Sequence, residues 1–281
     1  MTYSLAGRTV VITGAAGGLG AALARGLRER AANLALLDLD GEAVAAHADD
    51  LGGDRVARGW QADVRSLDSL DAAIAGAAAH FGRVDVAIAG AAIADVHGPL
   101  SATSVEDWER EIDINLNGVW RTFKAALPHV AGQRGHLSAI ASMASFTHMP
   151  FLSSYSASKA GVWGMCDSLR LELRGSGVTV GSVHPSFFRT PMIDDSFVNP
   201  ALGLLFNNFQ GMFKMVDIDA VVEAIISGIE RRAPHVVIPK HLRPAAAAPG
   251  VLRPILERLG FPRTRIKRIA ELYAESASAA S

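Results

Sequence analysis

The chain has little cysteine: Cys166 is the single one in 281 residues. That excludes an intrachain disulfide framework and fits a reducing compartment. A metal centre is disfavoured too, because the nine histidines show no tight ligand spacing. Neither sign of charge is in excess, with 27 Lys/Arg against 28 Asp/Glu, which argues against a generic nucleic-acid binder. No uncharged apolar run reaches the ~18 residues of a membrane-spanning helix. The first residues lack the basic, apolar, small-residue order of a secretion signal. The expectation is a cytoplasmic protein with no metal. Repeats and low-complexity linkers are absent apart from an alanine run at 245–248 and an Ala/Ser tail at 276–281. Tyrosine is scarce, with three residues, and one of them heads the most informative stretch of the chain.

What is present is alternation. Short apolar strands are expected near 8–13, 33–38, 56–61, 84–89, 136–141, 178–183 and 235–238. Helical stretches are expected near 18–30, 41–51, 67–81, 104–131, 154–175 and 217–231. Strands alternating with helices imply right-handed crossovers and a parallel sheet covered on both faces. With 49% hydrophobic residues the chain can bury one large core. The expected fold is a three-layer α/β, Rossmann-type doubly wound sheet of about seven strands in a single domain. Ligands of such sheets collect beyond the carboxyl ends of the strands.

Tyr155-Ser-Ala-Ser-Lys159 puts a phenol and an ammonium at i and i+4, on one helix face. A lysine there favours the phenolate by charge and hydrogen bonding, and a tyrosine so tuned can exchange a proton with an alcohol or carbonyl. Near the N-terminus the β-branched run 8–13 leads into Gly14-Ala-Ala-Gly-Gly18-Leu19-Gly20 and then an Ala/Leu/Arg-rich helix former. Strand, glycine turn and helix together receive a pyrophosphate on backbone N–H groups. Asp38 ends the second strand, where a carboxylate accepts bonds from ribose hydroxyls and repels a 2′-phosphate. Leu39 follows it and no cation lies in the glycine turn, so the expected cofactor is NAD.

These motifs resemble the short-chain dehydrogenases/reductases in their single-domain form. Thr13-Gly14-x-x-x-Gly18-x-Gly20 matches their cofactor turn, and Tyr155-x-x-x-Lys159 their active-site pair. Ser142, thirteen residues before Tyr155, stands where the family carries its serine, and Asn115 in Asp113-Ile-Asn115-Leu-Asn117-Gly118 matches its helix asparagine. Pro185-Ser-Phe-Phe-Arg-Thr190 follows a strand as the family's Pro-Gly-x-Val-x-Thr does. The resemblance covers roughly residues 5–240 and implies hydride transfer between a secondary alcohol carbon and a nicotinamide. It makes Tyr155 the proton carrier, Lys159 the group that tunes it and holds the ribose, Ser142 the partner of the substrate oxygen, and Asn115 part of a water relay. Gly14, Gly18, Leu19, Gly20, Asp38, Asp63, Val64, Ala89, Pro185, Phe188 and Thr190 are then cofactor contacts, alongside Tyr155 and Lys159. Two departures stand out. The family's Asn-Asn-Ala-Gly reads Ala89-Gly90-Ala91-Ala92, and its Pro-Gly reads Pro185-Ser186.

The segment 191–215 occupies the place of the family's substrate lid. Its Met192, Phe197, Leu204, Leu205, Phe206, Phe209, Met212 and Phe213 favour a bulky hydrophobic alcohol or ketone over a sugar. Residues 241–281 form an extension beyond the 1–240 catalytic unit. Residues 240–268 hold eight Lys/Arg against Glu257, a net +7 that leaves −8 for the rest of the chain. Leu252, Ile255, Leu256 and Leu259 recur at amphipathic helical spacing. Such a helix can lie on an anionic membrane, or pack on protein, which is the favoured reading. A homodimer or homotetramer is expected. A cofactor-binding regulator, or an epimerase or dehydratase, is the alternative; the full Asn-Ser-Tyr-Lys set argues against the first and the short C-terminal extension against the second.

Overall fold

The computed structural model describes residues 2–190 and 200–280. The apolar runs form β1 (Thr9–Thr13), β2 (Asn33–Asp38), β3 (Ala57–Gln61), β4 (Val86–Ala89), β5 (His136–Ile140), β6 (Thr179–Pro185) and β7 (His235–Ile238). They pair in parallel as one sheet in the order β3-β2-β1-β4-β5-β6-β7. The chain winds outward in one direction from β1 and then in the other from β4. The crevice that this reversal opens at the carboxyl ends is where the site lies.

Helices α1 (Gly18–Glu29), α2 (Gly41–Asp50), α3 (Leu67–Phe81), α4 (Val105–Ile112), α5 (Gly118–Gly132), α6 (Ser153–Glu172), α7 (Pro200–Leu205) and α8 (Ile218–Glu230) follow in turn. Strand side chains alternate between two faces. Val10 and Ile12 pack with Leu23 and Leu27 of α1 and with Ile225 and Ile229 of α8. Val11 points the other way, toward Leu70 and Ile74 of α3, Phe123 of α5 and Val162 of α6. Both faces are thus dry, as near-continuous apolar strands require. Residues 104–131 do not form the one uniform helix that the apolar spacing suggested. Between α4 and α5 the backbone widens into a π-helical turn over Asp113–Asn117, a distortion that recurs at functional sites.

The C-terminal residues fold back onto the domain as α9 (Arg243–Ala247), α10 (Pro249–Gly260) and α11 (Arg263–Ala280). Ile269 is fully buried, and Leu252, Leu256, Phe261 and Ile266 pack around it against Leu202, Leu205, Phe206 and Phe213. The amphipathic set is therefore divided. Leu252 and Leu256 face protein, while Ile255 and Leu259 are 53% and 70% exposed. Among the described residues no helix is long and apolar enough to cross a membrane.

Burial of histidine makes this fold acid-sensitive. His136 bonds Thr179 Oγ1 through Nδ1 at 2.8 Å and is pulled down to about 3 by burial. His184 is pulled down to about 4, again by burial first. A group whose folded value is depressed gives stability that is complete above its ordinary pKa, ~6.5, and drains away as pH falls toward the folded value. Urea unfolding should therefore show a loss of about 2 kcal/mol per histidine between about pH 7.5 and about pH 5. His136→Asn should shrink that loss; equal stability at both pH values would refute the assignment.

Candidate active site

A cavity of about 730 Å³ opens at the carboxyl ends of the central strands, within the size range of small-molecule sites. At one end lies the turn from β1 to α1. Gly14 has φ +75°, and a Cβ there would meet Ala91 backbone atoms at 2.7 Å; one on Gly20 would meet the Gly14 carbonyl oxygen at 2.1 Å. Glycine at both positions lets α1 and the loop after β4 close on the turn. The first turn of α1 carries no acidic residue and its N-cap, Gly17, makes no side-chain cap bond. Its backbone N–H groups and positive dipole end are left to the cavity, which Gly17, Gly18, Leu19 and Gly20 line. This cradle fits a pyrophosphate.

Asp38 stands at the rim of that end, beside Leu39, which is 58% exposed. Its Oδ2 accepts a 3.0 Å hydrogen bond from Ala16 N, and its Oδ1 a 3.3 Å bond from Asp40 N. The carboxylate thus braces the glycine turn as well as facing the cavity. Asp63 and Val64 lie on the same wall. Asp63 is also a turn residue, accepting from Arg65 N at 2.9 Å and from Arg65 Nη2 at 2.7 Å. That bonding holds its carboxyl below the usual carboxylate range. Arg65 lines the cavity too; no motif marked it in the sequence, and its charge is engaged by Asp63.

Ser142, Tyr155 and Lys159 converge on the other end. Ser142 ends the run after β5 in extended conformation and accepts from Ala144 N at 3.1 Å. Lys159 is buried, donates from Nζ to the Ile140 carbonyl at 3.0 Å, and lies 5.6 Å from the Tyr155 ring centroid. Burial pushes the Tyr155 phenol above its ordinary value, a hydrogen bond with Ser142 acts against that, and the charge of Glu111 adds to it. Burial also pulls Lys159 down to about 8. The i, i+4 spacing alone suggested a tyrosine lowered by its lysine; in the fold, desolvation outweighs that pairing, and the lysine's proton is directed at a backbone carbonyl.

Two expected contacts are not on the cavity wall. Ala89 is buried in the sheet opposite Thr13 and Ala139, and Gly90, Ala91, Ala92 and Ile93 face the cavity in its place. An alternating strand places its last side chain in the core, which a motif match does not reveal. Asn115 stands behind the wall. Its Nδ2 donates to Ile93 O at 2.8 Å and its Oδ1 accepts from Ile93 N at 2.8 Å, so the amide pins the loop after β4. Thr13 Oγ1 holds the same loop by accepting from Gly90 N at 3.2 Å. These bonds anchor the Ala89–Ala92 turn without side-chain amides of its own.

Pro185, Phe188 and Thr190 line the cavity. Ser186, where the resemblance expects glycine, is not among the residues with positive φ, and its Oγ donates to Met143 Sδ at 3.0 Å. A side chain is accommodated there without strain. His184 lies off the wall, buried between Ser145 Oγ at 2.7 Å and Ser182 Oγ at 2.8 Å. His148 faces Arg253 at the surface. Burial pushes the Cys166 thiol up to about 12, which leaves it a packing residue.

Met149, Leu152, Phe187, Leu202, Phe206 and Phe209 make much of the remaining wall apolar, and Arg110 adds one cation to the lining. Phe187 packs on Phe206 with ring centroids 4.6 Å apart, Phe206 on Phe213 at 5.6 Å, and Phe213 on Phe261 at 5.5 Å. A ladder of rings thereby links the cavity to the C-terminal helices. Leu205 and Phe213 are buried among these rings and the C-terminal apolar residues, Leu204 and Met212 are partly exposed, and Met192 and Phe197 lie outside the described residues. Met149, Leu152 and Phe187 were not singled out in the sequence, because an apolar residue in a loop carries no periodic signal.

Comparison with known proteins agrees with this geometry. The sequence profile described as short chain dehydrogenase matches residues 8–200. (-)-trans-Carveol dehydrogenase of Rhodococcus erythropolis is 39% identical over 208 residues, covering 67% of this chain and 74% of that protein. D-threitol dehydrogenase of Mycolicibacterium smegmatis is 36% identical over 194 residues, covering 68% and 74%. Among solved structures, a short chain dehydrogenase/reductase from Burkholderia phymatum in complex with NAD superposes with a TM-score of 0.77 at 24% identity, covering 87% of this chain and 93% of that one. The chain belongs to the short chain dehydrogenases and is an oxidoreductase of the alcohol-dehydrogenase type.

Proposed function

We propose that this protein interconverts a bulky, apolar secondary alcohol and its ketone with NAD as hydride carrier. The observation that carries the reading is the convergence of Ser142, Tyr155 and Lys159 at one end of a single cavity whose other end is the uncapped start of α1. When bound, the nicotinamide accepts or returns the hydride. The chain's own residues do the rest. Ser142 Oγ orients the substrate oxygen, and Tyr155 Oη takes the hydroxyl proton in oxidation and returns it in reduction. The Lys159 ammonium supports the phenolate and the nicotinamide ribose. Asn115 fixes the loop at Ile93, so that the wall facing Tyr155 keeps its shape.

The relatives are named for chemically different alcohols, so the substrate class rests on the wall itself. Six apolar side chains, three of them phenylalanines, face the space beside Tyr155, and apolar lining favours an apolar ligand. A panel of secondary alcohols and ketones with both NAD and NADP, followed at the reduced-nicotinamide absorbance band, tests the proposal. Turnover confined to small polyols would overturn the substrate class.

Residues 191–215 serve as the lid and residues 241–281 as its outer support, within a homodimer or homotetramer. Of the lid, 191–199 lie outside the described residues. The part from 200 onward rests on α11, whose Arg265 Nη1 donates to Leu205 O at 3.4 Å and Gly260 O at 2.9 Å. Hydrogen exchange should show lower protection in residues 200–215 than in β1, β4 and β5, rising when substrate is added. Full protection in the free enzyme would count against a closing lid.

A further inference from the structure

Behind the wall lies a buried acid that none of the roles above uses. Glu111, in the last turn of α4, has no exposed surface. Its Oε2 accepts a hydrogen bond from Ser154 Oγ, and its Oε1 has no hydrogen-bond partner among the described residues. Ser154 directly precedes Tyr155 in α6. One turn beyond Glu111, Asn115 sits in the π-helical segment and reaches Ser158 Oγ at 3.5 Å. Glu111, Ser154, Asn115, Ser158 and Lys159 thus form a dry polar seam between α4 and α6. A buried carboxyl with one oxygen unsatisfied is costly, and such a cost points to a role.

The charges around Glu111 suggest which role. The charges that act on it are the Lys159 ammonium of α6, Asp95 in the loop after β4 and Arg110 of its own helix, and its own charge acts on the Tyr155 phenol. Asp95 and Arg110 are at the surface and pair with each other at 2.9 Å. Lys159 is buried with its Nζ bonded to the Ile140 carbonyl, a neutral acceptor that offsets little of the cost of burying an ammonium. Glu111 supplies the negative charge that acts on it.

We propose that Glu111 is a positioning residue for the active site: the buried counter-charge that keeps Lys159 an ammonium and so sets the alkaline edge of activity. The activity part rests on the reading that Lys159 works as a cation beside Tyr155. Burial pushes Glu111 up to about 7, while Lys159 is pulled down to about 8. The two therefore titrate as a coupled pair over the same range. Below it Glu111 is protonated and Lys159 needs no help; above it the carboxylate holds the lysine's proton in place. Removing the carboxylate lets Lys159 deprotonate earlier, so the alkaline limb moves to lower pH.

Glu111→Gln keeps the shape and can still accept from Ser154. The first readout needs neither cofactor nor substrate: an NMR titration of the Lys159 side chain in isotope-labelled protein. Its midpoint should fall by about one pH unit, and the alkaline limb of kcat/KM should fall with it. Ser154→Ala, which removes the bond favouring the ionised carboxyl, should move both the same way by less and covers the case in which the glutamine variant does not fold. Glu111→Asp should bring the limb part of the way back. An unmoved Lys159 titration in these variants overturns the proposal, whatever the turnover. A moved titration with an unmoved activity limb overturns instead the claim that Lys159 acts as a cation in catalysis.

Discussion

Tyr155→Phe should lower kcat by about a thousandfold while leaving NAD affinity within about twofold, since positioned proton transfer contributes 10²–10⁴. The substitution removes one oxygen from a half-buried ring. Ser142 keeps its bond to Ala144 N, Lys159 keeps its bond to the Ile140 carbonyl, and the glycine cradle at the far end of the cavity is untouched. What is lost is the group that takes the hydroxyl proton as hydride leaves, and among the described residues no carboxylate or histidine stands beside Ser142 and Lys159 on the wall to take over that proton. Lys159→Ala is the informative contrast. That side chain is assigned both to the phenolate and to the ribose, so kcat and cofactor affinity should fall together. Single-turnover kinetics with cofactor binding measured by fluorescence separates the two cases. A Tyr155→Phe enzyme with near-normal kcat would remove tyrosine from the mechanism.

The preference for NAD over NADP should be tenfold or more in kcat/KM, and it should narrow or reverse in the Asp38→Ala, Leu39→Arg double variant. A carboxylate ~4 Å from a phosphate charge is repelled by about 4 kcal/mol at an effective dielectric of 20, an upper guide because solvent screens an exposed rim. A third of that is already about a tenfold preference, at ~1.4 kcal/mol per decade. Ribose hydrogen bonds lost to a 2′-phosphate add to it. Arg65 lies on the same wall, but Asp63 engages its guanidinium at 2.7 Å, so it offers a 2′-phosphate little. Asp38 also braces Ala16 N. The double variant should therefore lose some activity with both cofactors, and the ratio between them, measured on one substrate, is the quantity to follow. Equal parent activities would show that Asp38 does not meet the ribose.

Much of this was legible in the sequence, for identifiable reasons. The central strands read as apolar runs because both faces of the sheet are covered there, whereas the edge strand β3 carries exposed Arg58 and Gln61; the strand–glycine–helix start of the chain has one familiar local solution. Ser142, Tyr155 and Lys159 share a cavity end because a strand terminus and one helix face meet there. The misses also have physical causes. Ala89 was assigned to the cavity by motif position, but strand alternation turns it into the core. The π-helical turn around Asn115 adds a residue without changing the apolar spacing, so 104–131 read as one helix. Tyr155 was expected to be acidified by its lysine, yet burial is a property of the whole fold and outweighs a pair four residues apart. Glu111 belongs to no motif in the sequence; only the packing of α4 on α6 shows that it has no water.

The ring ladder from Phe187 through Phe206 and Phe213 to Phe261 separates two kinds of selection on this chain. Residues at the strand ends meet the reacting atoms and are constrained by chemistry. The C-terminal extension meets these rings from outside, with Phe261 against Phe213 and with Leu252, Leu256, Ile266 and Ile269 in the same apolar cluster. Substitutions in the tail that shift Phe261 or Phe213 can therefore move Phe206 and Phe187 on the cavity side of the ladder without replacing Ser142, Tyr155 or Lys159.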